Sequence, residues 1–180
     1  MDFDKVLDSR HSTRSFKDYK TGKKDVFAVL EAALKAPMAA NVCTLKFVLV
    51  DEKDKVSIVA ESCPENEFIG KVSHLIVVCS NLKQAKSLFG EKAEHYAAQQ
   101  AGAAIENMLL KIADLGLASC WIGGFDESAV KRILKIPGEY RVEAIIPIGK
   151  ELKKPGKKRK SNLKGLVRFN DFEEKKVFEA

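Results

Sequence analysis

A chain of 180 residues, 46% of them apolar, is long enough for one domain with a true core and too apolar to stay disordered. No apolar run approaches the roughly 20 residues that cross a bilayer, and the four cysteines (Cys43, Cys63, Cys79, Cys120) form neither a CxxC pair nor a disulfide framework, which fits free, buried thiols in a reducing cytosol. The net charge of +6 is local: residues 150–160, KELKKPGKKRK, hold seven basic residues and one acid, so the rest of the chain is balanced and offers no broad nucleic-acid-binding face.

In chain order, the N-terminus MDFDKVLDSR carries early acids and no apolar stretch, so no secretory signal is expected there. Phe3, Val6 and Leu7 at helical spacing predict a short helix over 2–9. The polar run SRHSTRSF, 9–16, follows it. Residues 23–36 predict a second helix, with Val26, Val29, Leu30, Ala33 and Leu34 as its apolar stripe and Pro37 marking its end. LKFVLVD, 45–51, reads as a central strand, KDKVSIVAE, 53–61, as a helix, and HLIVVCSN, 74–81, as a second, buried strand.

A long helix is expected from about 91 to 115, apolar along Ala97, Ala98, Ala101, Gly102, Ala104, Ile105, Met108, Leu109 and Ile112. Its small residues suit either a close subunit contact or tight core packing. LGLASCWIGGF, 115–125, reads as a helix exit, a short strand and the pair Gly123–Gly124. Asp126 is placed to cap a helix over 126–134, and a third strand is expected over 141–149. The tail 161–180 has spaced apolar residues (Leu163, Leu166, Val167, Phe169, Phe172, Val177, Phe178) and is expected to pack, on this chain or on a partner. Mixed helices and strands without strict βαβ alternation indicate α+β.

The chemistry-bearing patterns are few. There is no GxSxG, no Walker loop and no GxGxxG, and His11, His74 and His95 lack metal-ligand spacing, so no metal and no side-chain nucleophile is expected. Hard chemistry in such a chain belongs to a bound cofactor. Arg10, Ser12 and Arg14 offer guanidinium and hydroxyl donors suited to an anion, with Lys157, Lys158, Arg159 and Lys160 as a distant second jaw. A solvated helix-to-loop junction and a charged loop explain the same two stretches. Gly123–Gly124 allows a backbone to approach a flat ligand, or makes a simple turn.

Together these stretches resemble the nitroreductase family of FMN-dependent, NAD(P)H-oxidising flavoproteins. The family's opening Arg-Arg/His-Ser-x-Arg-x-Phe run is matched by Arg10-His11-Ser12-Thr13-Arg14-Ser15-Phe16. Its Ala-Pro-Ser-x-x-Asn-x-Gln-Pro-Trp stretch is matched from Ala36 to Leu45, and its Leu-Gly-x-x-Ser-Cys-x-x-Gly signature from Leu115 to Gly123. A closing Pro-x-Gly is matched by Pro147-Ile148-Gly149, followed by the basic loop.

The resemblance implies one nitroreductase-like domain over 1–180. Its central sheet would be mixed and mainly antiparallel, flanked by helices, with the C-terminal extension exchanged in a homodimer. It implies a noncovalent FMN at the subunit interface. Arg10 and Ser12 are similar to the residues that hold the phosphate and ribityl chain, and the contact at His11 is one often made by backbone. Arg14 resembles the cation at the N1/O2 edge of the ring. Ile122, Gly123 and Gly124 resemble the backbone that lies against the ring, where an amide reaches N5. Lys158 and Lys160, or Arg159, align with the closing phosphate clamp; Pro37, Met38, Ala39 and Asn41 would come from the other subunit, and Asn66 is a further flavin contact.

Met38 stands where the family has Ser, and Cys43-Thr44-Leu45 where it has Gln-Pro-Trp. Cys43 is therefore read as a packed small residue or a thiol near the flavin. The short middle, 61–95, implies an open site and a broad substrate range. The implied activity is ping-pong. NADH or NADPH passes hydride to flavin N5, and a nitroaromatic, quinone or similar conjugated small molecule then takes the electrons. Two other readings are a cytoplasmic FMN-storing or redox-sensing protein with little turnover, and a basic-patch nucleic-acid binder. The main reading expects neither nucleic acid nor membrane as a partner, and a cytoplasmic location.

Overall fold

The structure is a computed structural model that describes residues 2–154, 156, 163 and 166–172. In chain order it forms α1 (Phe3–Ser9), α2 (Lys23–Ala33), β1 (Leu45–Val50), α3 (Lys53–Glu61), β2 (His74–Asn81), α4 (Leu82–Phe89), α5 (Ala93–Asp114), α6 (Glu127–Leu134) and β3 (Tyr140–Ile148). The three strands make one antiparallel sheet in the order β1-β2-β3. Leu45 pairs with Ser80 and Val50 with Leu75; His74 pairs with Ile148, and a bulge falls between Val78 and Cys79. The α+β class expected from the sequence is the one observed.

β2 is the centre because its sequence is apolar on both pleats. Leu75, Val77 and Cys79 join Ile145, Val142 and the inner faces of α3 and α6 in one core. Ile76 and Val78 join Ala144, Ile146, Ile148, α2 and α5 in the other. Each fully buried aliphatic side chain in these layers contributes roughly 1.5–3 kcal/mol by leaving water. α5 lies along the second core through Ala101, Ala104, Ile105, Met108 and Ile112, a three- and four-residue spacing that keeps one stripe inward.

Four expectations need correction. β1 is an edge strand, not a central one, because β3 returns to the far side of β2; its Lys46 is exposed accordingly. The short strand expected within 115–125 forms only isolated bridges, Ala118 to Gly149 and Ile122 to Ile145. α2 ends at Ala33, three residues early, and Leu34 is exposed rather than part of the inward stripe. A separate helix, α4, precedes the long one. Asn81 caps it by accepting from the Gln84 amide at 2.9 Å, and Gly90 at φ +56° ends it, so α5 starts only at Ala93.

The cap at Asp126 is present, its carboxylate accepting from the Ala129 amide at 3.0 Å. Leu163, Leu166 and Phe172 of the tail are exposed on this chain, while Val177 and Phe178 lie outside the described residues. No described helix is long and apolar enough to cross a membrane.

Candidate functional site

Three sequence stretches far apart in the chain are sewn together. Thr13 donates its amide to Ser119 O at 2.8 Å, and Ser12 bridges Ser119 in parallel. Lys17 donates to Lys150 O at 2.8 Å, Leu152 to Ser15 O at 2.9 Å, and Ala118 to Gly149 O at 2.9 Å. The Ser119 hydroxyl donates to Pro147 O at 2.6 Å. The polar run, the helix exit and the Pro-x-Gly strand end thus form one backbone platform beside β3.

Extended backbone turns alternate residues to opposite sides. His11 and Thr13 face Glu151. The His11 Nε2 and the Thr13 hydroxyl both meet Glu151 Oε1, while His11 Nδ1 meets Ser9 O at 2.7 Å. Ser12 and Arg14 are exposed, and neither side chain has a partner among the described residues. Arg10 is half-buried, its Nε 3.7 Å from Glu106 Oε1 of α5. Arg10, His11 and Thr13 border a cleft of about 590 Å³ shared with Ser119, Glu151 and Lys154. The start of the basic segment therefore reaches the polar run; Lys158, Arg159 and Lys160 lie outside the described residues.

The second strand end is equally specific. Ile122 is buried, and both of its backbone groups are consumed by Ile145. Gly123 and Gly124, just beyond it, are exposed, and their amides have no partner among the described residues. A β-carbon on Gly124 would meet nothing within 4 Å, and one on Gly123 only Trp121 Nε1 at 3.9 Å. Neither has a positive φ. Among the described residues neither packing nor a positive φ requires glycine at either position. The open space and the free amides suit a flat ligand laid against the backbone.

The segment that holds Asn66 is tied on either side of it to the platform and to the residues after Gly124. Asp126, two residues past Gly124, donates its amide to Ser62 O at 2.8 Å, and Phe68 stacks on Phe16 with centroids 6.1 Å apart. The Asn66 side chain itself donates to Pro64 O at 3.0 Å. Pro37, Met38, Ala39 and Asn41 are not joined to the platform by any of these contacts. Met38 packs against the α2/α5 layer, and Ala40 and Asn41 take left-handed φ of 49° and 59°, backbone that costs an L-residue about 1–2 kcal/mol. Cys43 is exposed, which corrects its reading as a packed residue. Burial pushes the Cys79 thiol up to about 12, and burial with Glu67 pushes Cys63 to about 11, so neither supplies a thiolate.

Glu151 is the functional residue that the sequence reading passed over. Its signal was available: it is the one acid in the basic stretch 150–160, and the structure uses it to fix His11 and Thr13. Among the described residues no group of three or more His, Cys, Asp or Glu side chains is placed to hold a metal.

The comparisons agree with this geometry. The model of the nitroreductase family matches residues 52–150. An oxygen-insensitive NADPH nitroreductase of Helicobacter acinonychis is 28% identical over 187 residues, covering 85% of this chain and 89% of its own. An FMN-dependent nitroreductase from Clostridium difficile superposes with a TM-score of 0.79 at 26% identity, over 93% of this chain and 99% of that one. A nitroreductase family protein from Streptococcus pneumoniae gives 0.82 at 25% identity, over 92% and 98%. A family match over more than half of the sequence, joined to a shared fold, places the assignment beyond motif likeness: the chain belongs to the nitroreductase family.

Proposed function

We propose that this protein is an FMN-dependent, NAD(P)H-oxidising reductase that works as a cytoplasmic homodimer. The observation that carries the reading is Gly123–Gly124, two exposed glycines whose amides have no partner among the described residues and whose lack of a side chain the described packing does not require. The residues present fit the cofactor: a cation-bearing run is stitched to the same strand end, β3, as Ile122, and beyond Ile122 lie open space at Gly123–Gly124 and backbone donors with no partner among the described residues. FMN bound there would supply two-electron chemistry, taking hydride at N5 from NADH or NADPH and passing reducing equivalents to a nitroaromatic, a quinone or a similar conjugated acceptor.

The chain's own groups would bind and polarise. Arg10, with Lys154 across the cleft, would hold the phosphate end, joined by Lys158 and Lys160 or Arg159. The Ser12 hydroxyl would donate to the phosphate or ribityl chain. Arg14, with no partner among the described residues, would place a cation where the reduced ring gathers negative charge. The Gly123 or Gly124 amide would donate to the ring edge; the Ile122 amide is already given to Ile145. His11 would act through its backbone, its ring being held by Ser9 O and Glu151. Pro37, Met38, Ala39, Asn41 and Asn66 would complete the ring pocket, the first four from the partner subunit. Exposed Phe3, Phe27, Leu34 and Phe172 supply apolar surface for that partner.

The test is reconstitution. Apo-protein titrated with FMN should turn yellow and release FMN on denaturation, one per chain. Riboflavin, which lacks the phosphate, should bind far more weakly; equal affinity for the two would remove Arg10 from its assigned role.

A further inference from the structure

Glu151 sits where its charge is least expected. It borders the cleft that Arg10 and Lys154 line, and on the flavin reading that cleft takes a phosphate. On charge alone a carboxylate there opposes an anion. Its oxygen is spent on the polar run instead: Glu151 Oε1 meets His11 Nε2 at 2.5 Å and accepts from the Thr13 hydroxyl at 3.3 Å. Among the described residues it pairs with neither Arg10 nor Lys154.

The two groups that it holds are fixed from their other sides as well. His11 is pinned at both ring nitrogens, since Nδ1 meets Ser9 O at 2.7 Å. Thr13 is 1% exposed, and its amide donates to Ser119 O at 2.8 Å. Alternation along an extended chain settles the neighbours. With His11 and Thr13 turned to Glu151, Ser12 and Arg14 face outward, and both are exposed. A slip of one residue would exchange the two sides. It would bury the hydroxyl of Ser12 and the guanidinium of Arg14, and present His11 and Thr13 in their place.

Glu151 also stands at the root of the second basic stretch. It bridges Phe16 in antiparallel fashion, while Lys17 donates to Lys150 O at 2.8 Å and Leu152 to Ser15 O at 2.9 Å. Residues 150–152 are thereby seated beside 15–17, and the chain runs on from there to Lys154 on the cleft wall. One carboxylate ties the side chains of the first basic stretch to the backbone from which the second departs.

We propose that Glu151 is a positioning residue for the cofactor phosphate. By holding His11 and Thr13 it sets the side to which Ser12 and Arg14 turn, and it fixes the Arg10 end of the cleft against the Lys154 end. This role rests on the flavin reading. Its sign is opposite to that of charge. An acid that acted through its field alone would, on removal, let a phosphate bind more tightly; an acid that braces the run would, on removal, loosen it.

The experiment measures Kd for FMN and for riboflavin, which lacks the phosphate, at fixed ionic strength on the parent, Glu151→Ala and Glu151→Gln. Hydrogen–deuterium exchange over residues 9–17 is followed on the same proteins without cofactor. Glu151→Ala should weaken FMN about tenfold or more and leave riboflavin within about threefold, with faster exchange over 9–17. Glutamine has no charge, but its amide oxygen can still accept from His11 and Thr13. Glu151→Gln should therefore bring FMN back to within about threefold of the parent, or tighter, and restore slow exchange. Thr13→Val keeps the acid and removes one of its partners. It should weaken FMN in the same sense, and it carries the test if Glu151→Ala does not fold. The proposal is overturned if Glu151→Ala or Thr13→Val binds FMN as tightly as the parent, if FMN and riboflavin are lost equally, if Glu151→Gln fails to recover FMN, or if exchange over 9–17 does not change in Glu151→Ala. A parent with no preference for FMN over riboflavin overturns the flavin reading and this role with it; failure confined to the variants overturns this role alone.

Discussion

Ile122 and Ile145 exchange both backbone hydrogen bonds, at 3.1 and 3.0 Å, and that exchange ends the paired stretch one residue before Gly123. Past this point the backbone is open and unspent. Gly124→Val adds a side chain to empty space in the free protein. It should leave the urea midpoint within experimental error of the parent and weaken FMN retention by about tenfold or more, because the added group takes the volume of the ring. Equal losses of stability and of FMN would mean that the glycine serves the fold.

Gly149 provides the opposite case. A β-carbon there would stand 2.9 Å from Phe16 Cδ1 and 3.2 Å from Val72 Cγ1. Phe16 is buried and stacked on Phe68, so it has no room to retreat. Gly149→Ala should cost about 1–3 kcal/mol of unfolding free energy by overpacking, read from chemical denaturation. A neutral result would show that the platform is looser than drawn.

The two arginines of the polar run should separate. Arg10→Ala should raise the Kd for FMN while barely changing the potential of the flavin that still binds. Arg14→Ala should keep most of the affinity and lower the reduction potential, since a cation beside the ring favours its anionic reduced form. Potentiometric titration of both variants checks this, and matching shifts in the two would dissolve the division of labour.

The thiols give a test that needs no cofactor. Cys43 is exposed, whereas Cys63, Cys79 and Cys120 are buried, and burial holds Cys79 and Cys63 as neutral thiols up to about 12 and 11. One cysteine of four should react quickly with a thiol reagent at pH 8, and the other three only on unfolding. A Cys43→Ser variant should lose the fast phase.

Much of this was legible in the sequence, for physical reasons. β2 announced itself because every residue from Leu75 to Cys79 is apolar, and the cap at Asp126 because a carboxylate before a helical stripe has little else to do. α4 is hard to read because LKQAKSLF is only eight residues long and runs straight on from β2, although Leu82, Ala85 and Phe89 share one face; its marks are its ends, Asn81 and Gly90. β1 passed as a central strand because LKFVLV is nearly all apolar, and only the return of β3 decides which strand lies in the middle. At the site, the motifs gave the residues but not their sides. Ser12 and Arg14 turn outward while His11 and Thr13 turn to Glu151, and that depends on stitches from residues more than a hundred positions away.

The most direct test of the central claim is anaerobic addition of NADH or NADPH to the FMN-loaded protein while its visible flavin band is followed. The account predicts rapid bleaching by at least one of the two, and full return of the band on adding a quinone. A band that stays unchanged over minutes with both nucleotides would contradict it, and would leave a protein that holds FMN without turning it over.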